Sequence, residues 1–359
     1  MGTLDMNRPS SAFWKDKKVL ITGHTGFKGT WLALWLNKLG AEVAGLALPP
    51  ATTPNLYQLT GLEEDIQSHI ADIRNPEEIS NSLRDSQPEI LFHLAAQSLV
   101  RPGYKNPVDT FASNVMGSVH VLDAARDRSS LKVIVMVTTD KVYHNREWLH
   151  AYRESDRLGG RDPYSASKAA SEIVISSYRD SFLQEHEIAV ASARSGNVIG
   201  GGDWSVDRLI PDAVRAWQKG EAVRLRNPDA TRPWQHVLEP LNGYLQLAER
   251  LWDRPDLAGA YNFGPNLTET ATVRSVLENA RQAYGAGETV FETPPNDALH
   301  EAGRLALESS KAQALLGLMP VWRLEEALER TMSWYRAQYH GSDARSLCEA
   351  DITQFEGCT

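Results

Sequence analysis

Val19-Leu20-Ile21-Thr22-Gly23-His24-Thr25-Gly26-Phe27-Lys28-Gly29 decides the fold. A β-rich apolar run leads into glycines spaced G-x-x-G-x-x-G. A helical stretch follows, with Trp31, Leu32, Leu34, Trp35, Leu36 and Leu39 along it and Gly40 at its C-terminal cap. Glycines permit a tight turn and close backbone approach to a pyrophosphate. The helix start adds unpaired N–H groups and the positive end of its dipole. The reading therefore expects a dinucleotide held by Gly23, His24, Thr25, Gly26, Phe27 and Lys28. The bland alternative is a plain strand-to-helix connection, since the spacing is not G-x-G-x-x-G.

Outward from this stretch, β-rich runs alternate with amphipathic stretches: Val19 to Thr22, Glu42 to Leu48, Ser68 to Ile73, Ile90 to Ala95, Val133 to Thr138 and Ile188 to Ala193. Strands separated by helices read as βαβ units. The expected class is α/β, a Rossmann-like doubly wound parallel sheet with a smaller C-terminal α/β lobe that binds substrate. The expected bounds are 14–195 for the first domain and 196–340 for the lobe, with the chain possibly crossing back. Residues 341–359 read as a loosely held tail, and Gly200 to Gly202 as a flexible loop.

The 359 residues carry 37 basic and 46 acidic side chains, a net charge of -9, with no clustered Lys/Arg stripe. That balance argues against nucleic acid as the main partner. Only Cys348 and Cys358 occur, too few and too badly placed for a disulfide framework or a cysteine zinc site, so no metal is expected and a reducing, cytoplasmic home is. Apolar runs such as Ile90 to Ala96 fall far short of the roughly 20 residues that a bilayer needs, so no membrane partner is expected.

A ribose-binding acid is expected about 20 residues beyond the glycines, yet Ala44 to Leu48 ends in Pro49 and Pro50. From Thr30 to Ile73 the only Lys or Arg is Lys38, so no partner for a 2′-phosphate stands out either. NAD is favoured over NADP. Tyr164-Ser165-Ala166-Ser167-Lys168 opens a long helical stretch. Residues four apart share a helix face, and a Tyr needs a nearby ammonium to act as a base at neutral pH.

With Asp72-Ile73-Arg74, His93-Leu94-Ala95-Ala96-Gln97 and Thr138-Thr139-Asp140 added to the glycine loop and the Tyr/Lys pair, the chain resembles the extended short-chain dehydrogenase/reductase superfamily from Lys17 to Tyr339. The resemblance implies that Asp72 contacts adenine and that Ile73, Leu94, the Ala95-Ala96 turn and Thr138 lie along the cofactor. Thr139 would orient a substrate hydroxyl beside Tyr164. Thr138-Thr139-Asp140-Lys141-Val142-Tyr143 further resembles the sugar-nucleotide 4,6-dehydratases, which carry Thr-Asp-Glu there. Lys141 in place of Glu is similar to the branch that acts on CDP-glucose. Dehydratases of dTDP-glucose or GDP-mannose, a UDP-sugar 4-epimerase and a non-catalytic nucleotide sensor remain as alternatives.

The resemblance implies Tyr164 as the base at sugar C4, Lys168 as its supporting ammonium, Lys141 as the base at C5 and Asp140 as the acid at C6. Asp140 and Lys141 could equally be a solvated turn. Arg232 is the expected bidentate phosphate contact, with Arg208 weaker and Asn197 near the pyrophosphate. Gln97, Ser98 and Arg101 would lie by the sugar, and Leu209 and Arg224 by the base. Trp234 and His236 are as easily packing residues. His300 and Glu301 match a family motif without an assigned chemistry. The stretches Val108 to Ala125 and Ser165 to Tyr178 correspond to the pair with which the superfamily builds a four-helix homodimer.

Overall fold

The computed structural model describes residues 7–225, 227–291 and 303–358; His300 and Glu301 lie outside them. Its centre is a seven-stranded all-parallel sheet. In chain order the strands are β1 (Lys18–Thr22), β2 (Glu42–Ala47), β3 (Gln67–Ile70), β4 (Ile90–His93), β5 (Val133–Val137), β6 (Ala189–Ser195) and β7 (Gly259–Phe263), and they lie side by side as β7-β6-β5-β4-β1-β2-β3. Residues such as Val133, Ile134, Val135 and Met136 are wholly buried, as expected for a sheet covered on both faces. The doubly wound expectation holds. The order reverses beside β1, so the carboxyl ends of β1 and β4 flank a crevice where such folds take ligands.

Helix α1 (Phe27–Lys38) is buried on every side: Trp31, Leu32, Ala33, Trp35 and Leu36 are fully enclosed. Its tryptophans use their one donor each, Trp31 to the carbonyl of Gly201 at 3.0 Å and Trp35 to the Glu356 carboxylate at 2.9 Å. Further helices are α2 (Gly117–Ala125), α3 (Pro163–Tyr178), α4 (Leu209–Gln218), α5 (Leu238–Asp253), α6 (Val273–Tyr284), α7 (Leu324–Tyr339) and α8 (Ala344–Gly357). The smaller lobe holds α4, α6 and short two-stranded ladders. No described helix is long and apolar enough to cross a membrane.

Two expectations are corrected. The end of the chain is not a loose tail: α8 is capped by Asp343, whose side chain accepts from the Ser346 amide, and it buries Cys348, Ile352 and Phe355 against α1. Its apolar positions are simply too sparse to announce a helix. Gly200 to Gly202 are not a flexible loop either. All three are buried in a turn where side chains of Val237, Trp334 and Leu56 occupy the space that a Cβ would need. Glycine there serves close packing. Strand β7 completes the sheet's edge, α5 packs on the sheet beneath it, and α8 packs on α1.

Candidate active site

One large cleft of about 2040 Å³ runs along the carboxyl ends of the strands. That is well beyond the usual volume of a single-ligand pocket, roughly 300–1,000 Å³, and leaves room for two ligands end to end.

At its first end lies the glycine turn. Gly23 has φ +82°, and a Cβ there would fall 2.7 Å from the Ala95 amide nitrogen; at Gly29 it would fall 2.1 Å from the Gly23 carbonyl oxygen. Gly26 is the N-cap of α1 and supplies no side-chain cap, and a Cβ on it would meet nothing nearer than 3.4 Å. Two glycines let the backbone close and the third leaves the helix start open, as a diphosphate requires. The residues present therefore fit a dinucleotide. Ala47, Leu48, Pro49, Asp72, Ile73 and Arg74 continue the wall. Arg74 pairs with both Asp72 and Asp109, so its charge on this wall is already neutralised.

His24 departs from expectation. It is fully buried, holds Ser68 through Nε2 at 2.7 Å and packs under Gly45, away from the cleft. The residue after a positive-φ glycine points to the opposite side of the turn. Thr25 lines the cleft while its hydroxyl donates to the Leu48 carbonyl at 2.8 Å.

In the middle of the cleft, Tyr164 and Lys168 stand on the first turns of α3, whose start is fixed by Pro163 and by Asp162 accepting from the Ser165 amide at 3.0 Å. Burial raises Tyr164 to about 12, opposed by its hydrogen bond with Thr139 and the charge of Arg208. Burial lowers Lys168 to about 8, against the pull of Glu172, and its Nζ donates to the Val137 carbonyl at 3.2 Å. Thr138 and Thr139 leave the end of β5 beside them. Lys141 lines the cleft, its Nζ donating to Asp140 Oδ1 at 3.1 Å and to Asn197 Oδ1 at 3.4 Å. Asp140 itself is fully enclosed and does not line the cleft. Its Oδ1 also accepts from Thr139 at 2.9 Å, while Oδ2 has no hydrogen-bond partner and faces Gly196. The pair is not a solvated turn.

At the far end Gln97, Ser98, Arg101, Asn197, Arg208, Leu209, Arg224 and Arg232 all line the cleft. They are not equivalent. Gln97 spends its amide on Leu99 and Thr110 and so braces its own turn. Arg101 is paired with Asp207 at 2.9 Å. Arg232 is nearly buried and donates to the carbonyls of Thr231 and Gly303. Trp234 reaches the cleft, whereas His236 is enclosed between Trp31 and Trp322 and belongs to the core.

Sequence reading missed two groups. Glu172, one further turn along α3 from Lys168, accepts from Thr138 at 2.5 Å, Ser192 at 2.7 Å and Arg194 at 2.7 Å in a buried cluster. Its place eight residues after Tyr164 on the same face was a usable signal. Asn114 was harder to find. It sits in a π-turn, accepts from the Gln97 amide and donates to Gln97 O and Ser167 Oγ, tying the wall of the cleft to α3.

Comparison with known proteins agrees with this layout. The chain is 43% identical, over 97% of its length and 98% of the relative's, to the CDP-glucose 4,6-dehydratase of Salmonella typhimurium. Among solved structures it resembles the dTDP-glucose 4,6-dehydratase of Bacillus anthracis in complex with NAD, with a TM-score of 0.76 at 20% identity, covering 90% of this chain and 98% of that one. It also resembles the UDP-glucose 4-epimerase of Stenotrophomonas maltophila with bound NAD and formylated UDP-arabinopyranose, with a TM-score of 0.79 at 18% identity, covering 91% and all of that chain. At those identities the two structures speak for the fold alone. The model of one family, described as GDP-mannose 4,6 dehydratase, matches residues 20–331. By that match and the full-length relative, the chain belongs to the GDP-mannose 4,6 dehydratase family.

Proposed function

We propose that this protein is an NAD-dependent CDP-glucose 4,6-dehydratase, a hydro-lyase that yields CDP-4-keto-6-deoxyglucose. The observation that carries the reading is the lysine after Asp140. It lines the same cleft as Tyr164, in a chain that is similar end to end to a CDP-glucose enzyme.

Tyr164, as phenolate, accepts the proton of the C4 hydroxyl, with Thr139 holding that oxygen in place. NAD held at the glycine turn would supply the acceptor for the C4 hydride and its donor to C6. Burial keeps Tyr164 protonated on its own, so it becomes a base only beside positive charge, which Lys168 and the oxidised nicotinamide supply. The C4 ketone acidifies C5–H. Lys141 removes that proton, and a proton reaching the C6 hydroxyl lets it leave as water. Asp140 is the source of that proton. Enclosed as it is, its route to the substrate runs through the two groups that it touches, Thr139 and Lys141. Hydride return to C6 and reprotonation at C5 complete the sequence with no net oxidation.

Asn197, Arg208 and Arg232 would hold the substrate diphosphate, and Leu209 to Pro211 with Arg224 the base. NAD rather than NADP is supported by the paired state of Arg74. The residues from Pro107 to Ala125 and α3 pack together and leave Val108, Phe111, Met116 and Ile173 exposed. A second copy would cover these in a homodimer. A cytoplasmic location fits the free cysteines.

The test is to incubate the protein with NAD+ and, separately, CDP-glucose, UDP-glucose, dTDP-glucose and GDP-mannose, following product mass. Loss of one water from CDP-glucose alone is the expected result. An isomer of unchanged mass would mean epimerisation instead.

A further inference from the structure

Lys28 is the second residue of α1, two positions past the open cap at Gly26. Its side chain runs along the cleft floor to the carboxyl end of β6. There Nζ donates to Ser195 Oγ at 2.8 Å and to Tyr244 OH on α5 at 3.5 Å, and stands 5.8 Å from the centre of the Tyr244 ring. These partners are hydroxyls. Among the described residues no carboxylate comes within ion-pairing distance of it. One anion, Asp140, acts on Lys28, whereas Arg208, Lys168 and Lys141 all oppose its charge. Burial with that company pushes its ammonium down to about 7. A half-buried amine held among hydroxyls, with no carboxylate in ion-pairing distance, is costly, and an apolar side chain would fill the place without that cost. A fold that keeps such a group has a use for it.

Its position says which use. The glycine turn takes the diphosphate, and Tyr164 with Lys168 marks where the sugar carbon reacts. The nicotinamide, joined to the diphosphate through one ribose, has to bridge that interval, and Lys28 lies along it. Oxidised nicotinamide is a cation and reduced nicotinamide is not. A positive charge nearby, which the Lys28 ammonium carries below about pH 7, raises the energy of the first and leaves the second nearly unchanged. The geometry points to Lys28 as the residue that poises the bound nicotinamide toward its reduced form, helping the first hydride transfer forward. In that transfer the hydride, with its two electrons, leaves sugar C4 for the nicotinamide and the hydroxyl proton goes to Tyr164. Both are returned later in the cycle, so no outside oxidant is needed. The assignment rests on the cleft being an NAD site.

The experiment uses the full chain, stripped of nucleotide and with no sugar nucleotide present. NADH binding is followed by fluorescence and NAD+ binding by competition, giving the ratio of Kd for NAD+ to Kd for NADH. Lys28→Met is expected to lower that ratio about tenfold, equivalent to about 30 mV for a two-electron couple, and Lys28→Arg to keep it. Lys28→Gln serves the same purpose where Met does not fold. Equal weakening of both forms would make Lys28 a phosphate or packing residue and overturn the inference, as would an unchanged ratio. Wild-type protein that binds neither form would overturn the cofactor reading first, and this one with it.

Discussion

Glu172→Gln tests how the catalytic helix is supported. Glu172 and Arg194 are an ion pair at 2.7 Å with side chains only 3% and 4% exposed, and the carboxylate also takes the hydroxyls of Thr138 and Ser192. The amide keeps the shape but removes the charge, leaving the Arg194 guanidinium buried with Tyr143 OH and the Glu154 carbonyl as its partners. Breaking a buried pair from one side costs about 3–5 kcal/mol, measurable as a fall in the urea midpoint at constant slope. A second effect is chemical. Glu172 holds Lys168 up against the burial that lowers it to about 8, so the variant's Lys168 loses its proton at lower pH, and the alkaline limb of the kcat profile moves the same way. A double replacement, Glu172→Leu with Arg194→Met, separates the two. Stability returns, because an apolar pair of similar volume replaces the ion pair at little or no net cost, while the shift in the profile remains. A Glu172→Gln protein within about 1 kcal/mol of wild type, with an unmoved profile, would refute the reasoning.

Three further outcomes are expected. Gly29→Ala drives a Cβ to 2.1 Å from the Gly23 carbonyl; the overpacking costs about 1–3 kcal/mol or more and opens the turn, so calorimetry should show NAD+ affinity falling far more than sugar-nucleotide affinity. Lys141→Ala should still reduce NAD+ on mixing with CDP-glucose, seen as absorbance of the reduced cofactor, but release no dehydrated product; normal turnover would remove Lys141 as the C5 base. Burial holds His24 at about 4 and His93 at about 3. The folded chain thus refuses protons that the unfolded chain takes below about 6.5, and this share of stability is intact above that pH and lost as pH falls toward 3. His93→Asn should flatten the pH dependence of the urea midpoint by up to about 1.4 kcal/mol per unit between pH 4 and 6, and an unaltered slope would contradict it.

The sheet was readable because parallel strands covered on both faces appear as plain apolar runs, and β1, β4 and β5 have no other interpretation. The turn at Gly23 was equally open, since its glycines are demanded by backbone contacts that local spacing encodes. The course of the His24 side chain, away from the cleft, was hidden because membership of a motif does not say which way a side chain leaves a turn. Helix α8 escaped because its burial depends on α1, more than 300 residues away in sequence, and no local period records such a contact. The enclosure of Asp140 was hidden for a related reason. It depends on Gly196, which meets it only once β6 is in place. Within the cleft, sequence could list candidate cations but not distinguish Arg101, already paired with Asp207, from Lys28, which has only hydroxyls for company.

Helix α1 carries the open glycine cap at one end and, through Trp35 and Glu356, the last turn of α8 along its flank. During synthesis on a ribosome the N-terminal half therefore emerges unable to finish itself. Its outer strand arrives with residue 263, and the cover over its tryptophans arrives with residue 355. Completion of the nucleotide cradle's flank is tied to residues 344–357, so a nascent product that lacks them presents an oily flank for chaperones to hold, not a smaller enzyme.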